Sequence, residues 1–148
     1  MPKVTVILTS YNHAKYIRET IDSILNQTFK DFELIIWNDA STDESWKIIE
    51  SYDDPRIKKF HSERTERGLI NKALLSGEVQ GEYIAIHHSD DVWELTKLEK
   101  QVKFLDENSE YGAVFTNARA INENSEVFED TNHFYHSIVD QPNRTRHE

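Results

Sequence analysis

The sequence contains no cysteine, one methionine, three prolines and four glycines in 148 residues. Without cysteine there is no disulfide, no thiolate metal ligand and no cysteine nucleophile, and the composition suits a reducing, cytoplasmic setting. Any metal must then be held by oxygen or imidazole. Neither a G-x-G-x-x-G turn nor a G-x-x-x-x-G-K-[ST] loop is present, so dinucleotide and P-loop readings lack their fingerprint. No apolar run is long enough to span a bilayer, and Met1-Pro2-Lys3 leads straight into a strand pattern rather than a signal peptide. Positive charge is also scarce: 17 Lys and Arg stand against 27 Asp and Glu, for a net charge of −10. A chain of that sign repels polyanions, which argues against nucleic acid or anionic lipid as a partner.

Hydrophobic residues, at 37%, and aromatics, at 11%, are enough to pack a core, and the length suits one domain. Residues 4–9 are β-branched and almost continuously apolar, the pattern of a strand buried on both faces in a parallel sheet. Ser10-Tyr11-Asn12 is a polar turn, with Asn12 expected to cap the next helix. Ile17, Ile21, Ile24 and Leu25 recur at helical spacing up to about Gln27. A second strand is expected over 32–37. Ser41 and Glu44 then fit a capping box for a helix carrying Trp46, Ile48 and Ile49. Asp54-Pro55 breaks it. Further expectations are a strand over 57–60, a helix over 69–75, a strand over 83–87 after Gly81, a helix over 96–107 with a Thr96/Glu99 capping box, and a fifth strand over 113–116. This alternation predicts a Rossmann-like α/β domain over residues 1–122, a mostly parallel sheet flanked by helices, followed by an irregular tail over 123–148.

In open α/β sheets ligands sit beyond the carboxyl ends of the strands. Polar residues just past strand ends are therefore the candidates: Thr9 to Asn12, Asn38-Asp39, and His87 to Asp91. The Asp90-Asp91 pair is the most telling. Adjacent carboxylates raise each other's pKa unless a cation neutralises them, and oxygen ligands of this kind suit Mg2+ or Mn2+. The Thr96/Glu99 box leaves them unneeded as helix caps. His87 and His88 read as strand residues pointing alternately inward and outward, since hard cations favour oxygen. Asp39 is open between a base- or ribose-binding acid and an Asx-turn leading into Ser41. Tyr11 offers a stacking face or a lid on the core. Arg64 and Arg67, just before the 69–75 helix, are either phosphate clamps or an exposed mixed-charge loop.

Residues 4–12, 24–29 with 32–34, 38–43, and 81–91, taken in order and spacing, resemble the family-two inverting glycosyltransferases over roughly residues 3 to 120. The similarity is greatest to the bacterial spore-coat polysaccharide branch. It implies the A-type nucleotide-sugar-binding fold and a cytoplasmic role in cell-envelope polysaccharide synthesis, at or near the inner face of the membrane. It also implies a UDP- or dTDP-sugar donor, Mn2+ or Mg2+ as cofactor, and a saccharide, lipid-linked or protein acceptor; a homo-oligomer is compatible with it. By position, Tyr11 stacks on the base and Thr9 touches it through its backbone. Asp39 reads the base. Asp90 holds the ribose or assists the metal, Asp91 binds the metal, and Arg67 meets the base or phosphates. Two departures concern the metal site: Asn38 and His88 stand where the family often has acids. The family's catalytic base lies well beyond the acidic pair, and no acid over 123–148 matches it. The sequence thus predicts the donor half of a transferase, truncated before the acceptor segment, with a catalytically incomplete nucleotide-binding or interaction module as the alternative.

Overall fold

The apolar run of β1 (Val4–Ser10) lies at the centre of a sheet, as a strand with no polar face must. Its neighbour β2 (Phe32–Asn38) is buried at every position. In the computed structural model, which describes residues 1–127, four strands run in the order β3-β2-β1-β4, and all three pairings are parallel. β3 is Ile57–His61 and β4 is Tyr83–His88. Between them lie α1 (Ile17–Leu25), α2 (Ser45–Glu50) and α3 (Leu69–Leu75), with α4 (Lys97–Glu107) after β4. The expected α/β architecture is present.

The pleat sorts the core into two layers. Val4, Val6 and Leu8 of β1, with Leu34 and Ile36 of β2, pack against Ile17, Ile21 and Ile24 of α1, Ile49 of α2, and Leu98 and Val102 of α4. On the opposite face Ile7 and Trp37 meet Leu69 and Ala73 of α3. Each fully buried aliphatic side chain contributes about 1.5–3 kcal/mol, so the larger layer dominates stability. Chain order moves outward from β1 through β2 to β3, then returns to the other side of β1 for β4. That reversal makes the β1/β4 seam the topological switch point, where a crevice opens beyond the carboxyl ends.

At the opposite end of the sheet a buried polar knot fixes register. The Thr5 hydroxyl donates to Glu33 at 2.7 Å and accepts from the Gly81 N–H at 2.8 Å. Glu33 also accepts from the Gln80 N–H and pairs with Lys58. Burial alone would raise the Glu33 carboxyl's pKa, but the Thr5, Gln80 and Lys58 contacts outweigh it and hold the pKa below the usual value.

Several local expectations fail. Asn12 does not cap α1, whose N-cap position is Tyr16. It instead takes a left-handed backbone, φ 51°, and its side chain accepts from the Thr42 N–H at 2.8 Å. Ser41 does not cap α2, which starts at Ser45; its hydroxyl is drawn into the contact between loops, accepting from the Asn12 N–H and from Asn38. Thr96 occupies the N-cap position of α4 but makes no capping bond, and Glu99 accepts from Thr28 instead. In each case a tertiary partner outcompetes the local one. Residues 113–116 form no strand, and Phe115 is 90% exposed.

The chain divides into two compact units, Met1–Ser109 and Glu110–Glu148. The first contains all eight elements. The described part of the second holds one antiparallel bridge, Ile121 to Val127, around a turn organised by the Asn122 side chain. The tail acids Asp130 and Asp140 lie outside the described residues. No helix among the described residues is long and apolar enough to cross a membrane.

Candidate functional site

A cleft of about 900 Å3 opens at the switch point. The end of β1 supplies Thr9, Ser10 and Tyr11, with His13 just beyond. The end of β2 supplies Asp39, the end of β4 supplies His88 to Asp91, and the start of α3 supplies Gly68 to Asn71 with Glu66 before it. Thr9, Tyr11, Asp39, Asp90 and Asp91, far apart in sequence, therefore share one cavity.

Each is held for an identifiable reason. The sheet continues one bond past its ends, where the Asp39 N–H donates to the Ser10 carbonyl at 2.8 Å. The side chain that turns back on the backbone at this corner is that of Asn38, whose Oδ1 accepts from the Ser41 N–H at 3.0 Å. Asp39 is buried, and its carboxylate accepts from the Glu66 N–H at 2.7 Å, pinning the loop before α3 to the end of β2. Tyr11 is 48% exposed, so it is no lid on the core, and one face is available for stacking.

Asp90 and Asp91 lie in the turn closed by the Asp91 N–H on the His88 carbonyl. Partial desolvation of its carboxyl, and then the charge of Asp90, push the Asp91 pKa above the ordinary carboxylate value. Neither carboxylate accepts a hydrogen bond from a described residue. α4 begins at Lys97, so neither acid caps it. His87 turns inward and stacks on Trp93 at 4.4 Å, while His88 faces outward into the cleft. Arg67 and Arg64 are both exposed and line no part of the cleft, although their neighbours Glu66 and Gly68 do.

The donor chemistry suits a divalent cation. No group of three or more His, Asp or Glu converges among the described residues, so the protein alone offers no closed metal cage. Mg2+ and Mn2+ do not require one: one or two carboxylates plus substrate phosphates complete their coordination. Two carboxylates without a hydrogen-bond donor among the described residues, one with a raised pKa, fit such a half-built site.

Sequence reasoning missed His13, Glu66 and Asn71. His13 carried a usable signal, since it follows the same turn as Tyr11; its Nδ1 lies 2.7 Å from the Ser89 hydroxyl. Glu66 contributes a backbone N–H, for which side-chain chemistry gives no cue.

Comparison with known proteins agrees with this fold. The family model described as glycosyl transferase family 2 matches residues 5–147. TuaG of Bacillus subtilis, named for teichuronic acid biosynthesis, is 41% identical over 112 residues, covering 73% of this chain and 44% of TuaG. The crystal structure of S. aureus TarS 1-349 with UDP-GlcNAc superposes with a TM-score of 0.66 at 31% identity, covering 72% of this chain and 32% of that one. The mannosyltransferase PcManGT of Pyrobaculum calidifontis, in complex with GDP-Man and Mn2+, superposes at 0.65 with 27% identity, covering 82% and 36%. The chain thus spans less than half the length of each of these relatives. From its four-stranded parallel sheet to the family match along almost its whole length, the chain belongs to glycosyl transferase family 2.

Proposed function

We propose that this chain carries the donor side of a metal-dependent, inverting glycosyl transfer: it binds a nucleoside-diphosphate sugar, a UDP- or dTDP-sugar in the first instance, together with Mn2+ or Mg2+. The observation that carries the reading is the convergence of three strand ends, bearing Thr9 with Tyr11, Asp39, and Asp90 with Asp91, on one cleft. Tyr11 stacks on the base, Thr9 contacts it through the backbone, and Asp39 accepts from a base N–H with the oxygen not used by Glu66. Asp90 meets the ribose or the metal, and Asp91 holds the metal. Support comes from the nucleotide-sugar complexes of TarS and PcManGT, the latter with Mn2+.

When bound, the metal supplies Lewis-acid neutralisation of the departing diphosphate. The chain's own residues fix the donor's base and ribose, so the anomeric carbon is presented in one orientation. An acceptor hydroxyl on a saccharide, a lipid-linked sugar or a protein attacks that carbon opposite the leaving group. Its C–O bond forms as the bond to the diphosphate breaks, and a base takes the proton. No cleft carboxylate is assigned to that base. The second reading is a nucleotide-binding or interaction module without transfer of its own; an assay for sugar release from the donor separates the two.

The test is calorimetry on the 148-residue chain with UDP, with and without Mn2+. Binding is expected only with the metal, and Asp91→Asn is expected to weaken it more than about ten-fold. Equal UDP affinity with and without Mn2+, unchanged in Asp91→Asn, overturns the reading.

A further inference from the structure

The buried side of α1 is not uniformly apolar. Thr20, Ser23 and, just past its end, Gln27 are buried beside Ile17, Ile21 and Ile24. Three polar residues at helical spacing on a buried face need partners, because an unsatisfied buried polar group costs about 1–3 kcal/mol. All find them in one place: the backbone of the segment that follows β4.

The Thr20 hydroxyl lies 3.1 Å from the Ser89 carbonyl and 2.9 Å from the Asp91 carbonyl, so its single proton sits between the two peptide oxygens that flank Asp90. The Ser23 hydroxyl accepts from the Trp93 N–H at 3.2 Å and donates to the Thr20 carbonyl at 2.8 Å. The Gln27 amide donates to the Glu94 carbonyl at 2.9 Å and accepts from the Leu98 N–H at 3.0 Å. His13, on the turn before the helix, reaches the Ser89 hydroxyl. The segment after β4 is thus tied to α1 by Thr20, Ser23 and Gln27, none of which lines the cleft.

We propose that Thr20, Ser23 and Gln27 are positioning residues that set the backbone of residues 89–98, and thereby aim the Asp90 and Asp91 carboxylates at the metal-diphosphate; this rests on the donor-site reading above. Two adjacent carboxylates repel each other and, among the described residues, have no donor of their own to orient them, so it is their backbone that fixes where they point. Thr20 is the central member, because it alone grips both sides of Asp90. A valine at this position keeps the shape and removes the donor; a serine keeps the donor.

The experiment compares Thr20→Val, Thr20→Ser and a control, Thr5→Val, which removes an equally buried hydroxyl at the far end of the sheet. Mn2+-dependent UDP binding is read by calorimetry, and the amide exchange of residues 89–93 is read in the ligand-free chain. Thr20→Val is expected to weaken binding about ten-fold and speed that local exchange. Thr20→Ser should stay within about two-fold of the parent, and Thr5→Val should lower the melting temperature without changing metal-dependent affinity. Ser23→Ala, which removes the acceptor for Trp93, replaces Thr20→Val if that variant does not fold. Parent-like binding and exchange in Thr20→Val or Ser23→Ala, or an equal loss in Thr5→Val, overturns the positioning role while leaving the donor site standing. Failure of the parent chain itself to bind UDP with Mn2+ overturns both.

Discussion

His87 is a titratable ring sealed where water does not reach it. It is 2% exposed, stacked on Trp93, and neither ring nitrogen has a hydrogen-bond partner among the described residues. Burial pushes its pKa down to about 4 from 6.5. The unfolded chain takes up a proton near pH 6.5 while the folded chain stays neutral, so stability falls as pH drops from about 6.5 to about 4 and is unaffected above that window. A displacement of this size corresponds to on the order of 3 kcal/mol. Urea midpoints measured across pH 4–7 should therefore decline on acidification, and His87→Phe, which keeps the stack, should flatten the part of the slope due to this ring. An unchanged slope in His87→Phe sinks the assignment. That the two histidines face opposite ways was legible in the sequence, because strand period two sends His87 and His88 to opposite faces; which of them turns inward was not. The partner of Asp39 was not: its hydrogen bond goes to the backbone of Glu66, 27 positions away, and a peptide N–H has no signature in the amino-acid string.

Among elements, the four central strands and α3 were readable because hydrophobic period and β-branching act locally. The caps were misread for the opposite reason. Ser41 and Thr96 carry capping chemistry, yet the close approach of loops from different strands gives Ser41 a better partner, and Thr28 takes the glutamate of the Thr96 box. The polar stripe on α1 was hidden by the isoleucines between its members. Gly81 shows how tightly the elements are keyed together. A Cβ there would stand 2.3 Å from the Thr5 nitrogen and 2.6 Å from the Val4 carbonyl carbon, both backbone atoms of the central strand. These cannot move aside as a flexible side chain can, so Gly81→Ala must push β1 away from the chain entering β4. It should destabilise by at least about 1–3 kcal/mol, the usual range for overpacking. Thermal melts against the parent check this, and a melting temperature within a degree of the parent would refute it.

At the scale of the whole molecule, charge decides how the proposed diphosphate ligand would enter. The chain carries −10, and the described walls of the cleft include four acidic residues, Asp39, Glu66, Asp90 and Asp91, of which Glu66 is paired with Lys72 at 2.6 Å, beside two histidines and no lysine or arginine. Arg67, expected as a phosphate clamp, stands outside that lining. An anionic ligand therefore meets repulsion from the protein field and from the site alike. A divalent cation reverses the local sign, since it is the largest charge in such a site. The two ligands should accordingly be strongly coupled: each raises the other's affinity, by the same factor. Thermal shift measurements on the full chain test this. UDP alone at low ionic strength should leave the melting temperature nearly unchanged, and Mn2+ alone should raise it slightly by relieving the Asp90–Asp91 repulsion. In the presence of saturating Mn2+, UDP at about a hundred times its dissociation constant should add about 2.7 kcal/mol over Mn2+ alone and raise the melting temperature by roughly 5–10 °C. A shift with UDP alone as large as that with UDP and Mn2+ would mean that the field of the cleft is not what admits the diphosphate.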